Sequence, residues 1–231
     1  MKNLCIIPAR GGSKRIPRKN IKDFLGKPII SYSIKAALDS GLFDEVMVST
    51  DDEEIGNIAK EYGANLPFLR NESIANDFAT TYDVLEEVIR KYEEEEGIIF
   101  DHVCCIYPCA PFTTKEILHL AYHQLIEEKL DTVFPIVSYA NPIQRALKIV
   151  NNRVQSFNSQ YETMRSQDLE KAYYDPGQFY WMNIMRLFEN KKIYSLLSGA
   201  VIVDEMEVQD IDNESDWKLA EYKYQLIQNR K

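Results

Sequence analysis

The stretch Leu4-Cys-Ile-Ile-Pro-Ala-Arg-Gly-Gly-Ser-Lys-Arg-Ile-Pro-Arg-Lys-Asn20 changes character at Pro8. Leu4–Pro8 is a short apolar run of the kind buried on both faces of a parallel sheet. Beyond it, six cations (Arg10, Lys14, Arg15, Arg18, Lys19 and Lys22) surround Gly11-Gly12-Ser13 with no acidic residue among them. Open α/β sheets bind ligands in loops that follow a strand in this way, because glycine lets backbone N–H groups turn toward an anion while cationic side chains close around it. A polyphosphate is the natural guest. The spacing is neither Gly-x-x-x-x-Gly-Lys-Ser/Thr nor Gly-x-Gly-x-x-Gly, which argues against a Walker loop and against a dinucleotide oxidoreductase. The plain alternative is a solvated basic loop with no ligand.

Working outward, strands and helices alternate. Pro28 is expected to open a helix through about Ser40, ended by Gly41. Val46–Ser49 reads as a second strand, and Thr50-Asp-Asp-Glu53 caps a helix to Tyr62. A third short strand is expected near Leu66–Leu69. Val84, Leu85, Val88, Ile89 and Tyr92 share one helical face. His102–Tyr107 reads as a central strand, Lys115–Glu128 as a helix and Thr132–Val137 as another strand. This alternation implies right-handed βαβ units, hence an α/β, Rossmann-like fold with a mostly parallel sheet. The rhythm breaks near Tyr139. From Asn141 to Ala172 there is no helical pattern, and Ala146–Phe157 reads as a hairpin around Asn151-Asn152. The pattern resumes with Gln178–Trp181, a short helix to Asn190 and a last helix whose apolar face is Trp217, Ala220, Tyr224 and Ile227. Residues 1–231 therefore read as one domain, with residues 139–175 an arm inserted between sheet elements.

Composition narrows the function classes. With 45% hydrophobic and 27% charged residues the 231-residue chain is ordinary globular material. A net charge of −9 disfavours general affinity for nucleic acid, which needs a broad basic face. The opening apolar run is too short for a signal peptide or a membrane span. Cys5, Cys104, Cys105 and Cys109 sit in or beside apolar runs. Adjacent Cys104 and Cys105 point to opposite faces of a strand and cannot converge on one metal, so all four read as buried thiols of a reducing, cytoplasmic compartment.

A second cluster answers the basic one. From Asp204 to Trp217 there are seven acidic residues and no basic one, centred on Asp210-Ile-Asp212. In extended chain, residues two apart point the same way, so Asp210 and Asp212 can share one cation. Carboxylates together with nucleotide phosphate oxygens are the usual cage for Mg²⁺. The alternative is a pair of surface carboxylates preceding the last helix, with Asn213 as its N-cap.

The run Ile7 to Asn20 closely resembles the opening motif of the CMP-sialic acid synthetases, the acylneuraminate cytidylyltransferase family. That resemblance implies a nucleotidyltransferase fold, with Arg10, Lys14 and Lys19 on the CTP phosphates and Asn20 toward the nucleoside. It also implies backbone contacts from Gly11 and Gly12, beside Ser13 in the same CTP-binding loop. Gln209 to Trp217 is similar to the family's metal-binding Asp-x-Asp, which implies Mg²⁺ on Asp210 and Asp212. Arg10, Lys19, Asp210 and Asp212 are then the catalytic candidates. Leu69-Arg70 and Asn76 to Thr81 are similar to the segment that closes on the pyrimidine and its ribose, making Arg70 and Thr80 cytosine-end candidates; as residues alone they read equally as a surface loop.

Within Ile106 to Phe112, Tyr107 stands where acylneuraminate enzymes commonly carry Gln. The departure points away from N-acetylneuraminate, although Tyr107 reads equally as a core aromatic. Pro142 to Leu147, Arg165 to Leu169 and Gly177 to Trp181 look like the pseudaminic acid branch of the family, with Tyr174 and Pro176 departing from its usual residues. Arg165 is suited to clamp a sugar carboxylate, and Gln144, Gln167 and Gln178 are the other sugar-site candidates. The aromatic run Phe179 to Trp181 serves core packing as readily. The resemblance thus implies transfer of CMP from CTP to the anomeric hydroxyl of a nonulosonic acid with release of pyrophosphate. Pseudaminic acid is the first candidate acceptor, and legionaminic or N-acylneuraminic acid the alternatives. It further implies a homodimer formed through the arm. A nucleotide-binding regulatory module is the reading from another class, and the presence of both charged clusters argues against it.

Overall fold

The computed structural model describes residues 1–71, 74 and 79–229. In chain order its strands are β1 (Asn3–Pro8), β2 (Asp23–Phe24), β3 (Lys27–Pro28), β4 (Glu45–Ser49), β5 (His102–Ile106), β6 (Thr132–Ser138), β7 (Leu147–Val150), β8 (Arg153–Ser156), β9 (Tyr173–Tyr174), β10 (Phe179–Asn183) and β11 (Ser198–Ile202). The helices are α1 (Ile30–Ser40), α2 (Glu53–Glu61), α3 (Thr81–Glu95), α4 (Lys115–Glu127), α5 (Ile184–Asn190) and α6 (Glu214–Gln228). The main sheet runs β11-β6-β10-β5-β1-β4, with β9 paired to β6. β1 is parallel to β4 and β5, and β11 is parallel to β6; β10 and β9 are antiparallel to their neighbours.

Alternation along the strands sorts the core into two layers. Cys5, Ile7, Val46, Val48, Cys104, Ile106, Phe179 and Trp181 face α1, α2 and α4. Leu4, Ile6, Met47, Val103, Cys105, Tyr180 and Met182 face α3 and α5. Both faces are covered, which is why the central strands read as unbroken apolar runs. Cys104 and Cys105 do point apart, and all four cysteines are free. No helix among the described residues is long and apolar enough to cross a membrane.

A third, smaller cluster positions the charged loops. Ile16 of the basic loop, Ile211 between the two aspartates, and Phe24, Ile29, Phe112, Trp217 and Ala220 pack together. One apolar residue from each charged segment is therefore sunk into the same pocket, which brings the segments side by side. Lys22 adds an ion pair to Glu214 and lies 4.6 Å over the Trp217 ring.

Several local expectations are corrected. Pro28 does not open α1; it pairs with Asp23 across a tight hairpin, and the helix begins at Ile30. Leu25 (φ 53°) and Gly26 (φ 90°) both take the left-handed values that a two-residue hairpin loop requires. Gly41 ends α1 as expected, at φ 63°. The expected strand at Leu66–Leu69 shrinks to one bridge between Asn65 and Met47. Pro67 has no N–H with which to continue a ladder. No pattern in the sequence marks β11 or the antiparallel direction of β10. The hairpin β7–β8 forms with Asn151 (φ 49°) and Asn152 (φ 61°) at its tip. Its root is a second ladder, in which Tyr139 donates its N–H to the Ala172 carbonyl at 3.0 Å and β9 pairs with the end of β6.

Candidate active site

The carboxyl ends of β1 and β5 open into a cleft of about 290 Å³. β1 has β4 on one side and β5 on the other, so this is the point where strand order reverses and open sheets bind ligands. The basic loop contributes Arg10, Ser13, Lys14, Arg15, Lys19 and Asn20; the acidic segment contributes Gln209, Asp210 and Ile211. The chain after β5 supplies Tyr107, Pro108 and Cys109, while Arg70, Thr80 and Thr81 line the end nearest α3.

Two contacts weld the charged segments together. Lys19 Nζ donates to the Ile211 carbonyl at 2.7 Å, between the two aspartates, and Arg15 Nη2 lies 2.7 Å from Asp212 Oδ1. Burial raises the pKa of Asp210, the Asp212 charge adds to the rise and Lys19 opposes it. Two carboxylates forced together and partly desolvated form the arrangement that a divalent cation relieves. Among the described residues no group of three or more His, Cys, Asp or Glu side chains could hold a metal. A cation here would therefore complete its shell with phosphate oxygens and water, as Mg²⁺ commonly does. The Asn213 cap is present too, accepting from the Ser215 and Asp216 N–H groups.

Other basic-loop residues serve the scaffold. Arg18 pairs with Asp52 and Glu54, which raises its pKa and lowers that of Asp52, the N-cap of α2. Asn20 is buried, donates to the Arg10 carbonyl at 2.9 Å and accepts from Cys109 Sγ at 3.4 Å. Gly11 and Gly12 are not among the lining residues. The Gly11 N–H donates to Asp51 Oδ1 at 3.0 Å, and a Cβ there would come 2.7 Å from Asp52 Oδ2. Glycine at 11 thus permits close packing onto the start of α2.

Arg70 is buried, donating from Nε to Ser49 Oγ at 3.0 Å and from Nη2 to the Ser49 carbonyl at 2.6 Å. Burial lowers its pKa, opposed by Asp51 and Glu87. Thr80 caps α3 in a reciprocal box with Asp83. The neighbouring residues Asn76, Asp77 and Phe78 lie outside the described residues. The Tyr107 phenol, pushed up to about 12 by burial, shares a hydrogen bond with Thr81 Oγ1 at 3.0 Å. Tyr107 is accordingly both a core aromatic and a cleft residue.

The remaining sugar-site candidates do not reach this cleft. Gln178 is buried and donates to the Glu207 carbonyl at 2.9 Å, holding the acidic segment against the sheet. Gln144 donates to the Glu170 carbonyl at 2.8 Å, Arg165 pairs with Asp168 at 2.7 Å, and Gln167 is exposed, all within the arm. Arg15, Thr81, Cys109 and Gln209 line the cleft without having been assigned a role from the sequence. Arg15 was visible as one charge in a run, and Thr81 and Gln209 as neighbours of named residues. Nothing local marked Cys109, whose partner Asn20 is remote in sequence.

A family model described as cytidylyltransferase matches residues 4–222. The chain belongs to the cytidylyltransferase family. A pseudaminic acid cytidylyltransferase of Campylobacter jejuni is 46% identical over 98% of this chain and 97% of its own length. A CMP-N,N'-diacetyllegionaminic acid synthase of Legionella pneumophila is 32% identical over 99% of this chain and 98% of its own. Among solved structures, a CMP:2-keto-3-deoxy-manno-octonic acid synthetase complexed with CTP superposes with a TM-score of 0.69 at 19% identity, covering 99% of this chain and 100% of that one. That last likeness concerns the fold.

Proposed function

We propose that this cytidylyltransferase transfers CMP from CTP to the anomeric hydroxyl of a nonulosonic acid, pseudaminic acid in preference to others, and releases pyrophosphate. The observation that carries the reading is the meeting of Arg10, Lys14, Arg15 and Lys19 with Asp210 in one cleft, through Lys19 on the Ile211 carbonyl and Arg15 on Asp212. The name of the 46% identical relative supports the choice of acceptor.

In this reading Arg10, Ser13, Lys14 and Lys19 take the triphosphate and stabilise the charge that develops as the bond to pyrophosphate breaks. Gly11 and Gly12 shape the loop, and Asn20 braces Arg10. Arg70 and Thr80 lie toward the cytosine. Asp210 and Asp212 hold Mg²⁺. Bound there with the nucleotide, Mg²⁺ would supply positive charge against the phosphoryl oxygens and the attacking hydroxyl. Tyr107 faces the acceptor within the cleft. Residues 139–175 act as an arm that reaches a second copy of the chain, bringing Gln144, Arg165 and Gln167 to the sugar end of the partner's site; Gln178 supports that end from beneath. Four free thiols and a need for CTP suit a cytoplasmic enzyme.

Pyrophosphate release with CTP, Mg²⁺ and pseudaminic, legionaminic or N-acetylneuraminic acid is the test. Fastest release with pseudaminic acid is the expected result. Preference for another acid overturns the acceptor, and no release with any of them overturns the reaction.

A further inference from the structure

Asp175 stands where the arm rejoins the sheet, directly after β9. Its Oδ1 accepts the Gly177 N–H at 2.8 Å, while its Oδ2 accepts the Tyr180 hydroxyl at 2.6 Å and the Tyr194 hydroxyl as well. Three donors on one carboxylate, two of them phenols, tie together a turn, a central strand and the loop before β11. Pro176 inside the turn removes one backbone freedom, and Gly177 sits at φ 63°, where a side chain would be strained.

The turn and the strand both bear on the cleft. The Tyr180 ring lies edge-on to Tyr107, with centroids 5.5 Å apart, and Phe134 packs on Tyr180 and Tyr194 from the other side. Tyr107 donates its N–H to the Gln178 carbonyl at 2.8 Å, one residue beyond Gly177. Tyr107 and Gly177 line the cleft, whereas Asp175 does not. Moving Tyr180 or the turn therefore moves this side of the cleft. On the phosphate side Lys19 is held by the Ile211 carbonyl, outside this network, and Gln178 reaches the acidic segment only at the Glu207 carbonyl, three residues before Asp210.

We propose that Asp175 is a positioning residue for the acceptor sugar, fixing Tyr107 and Gly177 through Tyr180 and the turn, and so setting which nonulosonic acid the cleft accepts. The inference rests on the reading above, in which the acceptor lies against Tyr107. A carboxylate suits the task because charge-assisted bonds to two phenols hold both rings at fixed angles. Asparagine keeps the size and the bond to Gly177, but its amide nitrogen cannot accept from phenols, which leaves the hydroxyl of the buried Tyr180 without this acceptor.

The experiment is steady-state kinetics with each substrate varied in turn, on wild type, Asp175→Asn and Tyr194→Phe, with melting temperatures recorded. Asp175→Asn should raise KM for the acceptor by about tenfold, equivalent to about 1.4 kcal/mol, with KM for CTP changed less than about twofold. Tyr194→Phe removes one donor and leaves the Tyr180 bond, so it should raise the acceptor KM by a smaller factor in the same direction. A folded Asp175→Asn whose two KM values rise together, or whose acceptor KM does not move, overturns the proposal. If Asp175→Asn does not fold, an unchanged acceptor KM in Tyr194→Phe overturns it instead. A wild type inactive with every acid would refute the reaction itself, an outcome distinct from either.

Discussion

Arg18 and Asp52 show how a residue in a functional loop can act for the fold. Their ion pair, joined by Glu54, fastens the basic loop to the start of α2 and holds the Asp52 carboxyl below its ordinary value. A lowered carboxyl stabilises the folded state above its unfolded pKa, and that contribution is lost as pH falls through the lowered folded value. Asp52→Asn keeps the cap, since asparagine also accepts the Ile55 N–H. The pair is partly exposed, so the variant should lose only about 0.5–1 kcal/mol at neutral pH, and the deficit should shrink below about pH 4. Denaturant titrations at pH 7 and pH 3 measure this; an equal deficit at both would mean that the charge contributes nothing. Asp210 has the opposite sign. Its raised pKa means that ionisation is disfavoured in the folded chain, so Asp210→Asn should leave melting unchanged or slightly higher. The same variant should lower kcat by about a hundredfold or more, through loss of a metal carboxylate. Near-normal turnover in both Asp210→Asn and Asp212→Asn would remove the assignment. These charged clusters were legible because each is contiguous in sequence. Asp175, Gly11 and Cys109 were not, because their meaning lies in partners that only the fold brings near.

The N-terminus of α3 combines a helix cap with a cleft edge. Thr80 Oγ1 accepts the Asp83 N–H at 3.2 Å, and the Asp83 carboxylate accepts the Thr80 N–H at 2.8 Å. Thr80→Ala should cost about 1 kcal/mol of stability and raise KM for CTP, because the helix end beside Arg70 loosens. Thr80→Ser keeps the oxygen and should restore both. If serine restored stability but not KM, the methyl group would be the part that meets the nucleotide. Helices were the elements best read from the sequence, since caps and apolar spacing are local: the Asn213 cap, the Gly41 terminus and the Val84 to Tyr92 face each lie within a few turns of chain. Strands were read less well. Ser198–Ile202 is short and carries Gly199, where an added Cβ would come 2.4 Å from Leu130 Cδ1, so its place in the sheet depends on a neighbour invisible in the sequence. Leu66–Leu69 had strand composition, but Pro67 broke the ladder. The direction of β10 depends on where the arm returns the chain, which no pattern within Phe179–Asn183 encodes.

The arm raises the question of assembly. Leu147 is 63% exposed, Ile149 77% and Val154 67%, and the hairpin register places Ile149 opposite Val154 with Leu147 two residues along on the same face. A two-stranded ribbon presenting such a face is marginal alone and gains stability when that face is covered. A second copy of the chain, related by a two-fold axis, covers both arms at once. The expected outcome is a dimer in light scattering, and Leu147→Glu with Ile149→Lys should yield a folded monomer, since these side chains leave the core untouched. An active wild-type monomer would end the argument. Mixing two damaged chains tests whether the sugar site is shared. One carries Arg10→Ala at the phosphate end, the other Arg165→Ala in the arm, each nearly inactive alone. If every site takes Arg10 from one chain and Arg165 from its partner, half of the mixed dimers are hybrids and each hybrid has one intact site. Activity should then recover to about a quarter of wild type. Arms that serve their own chain leave no intact site in any combination, and the mixture would stay at the level of its parents.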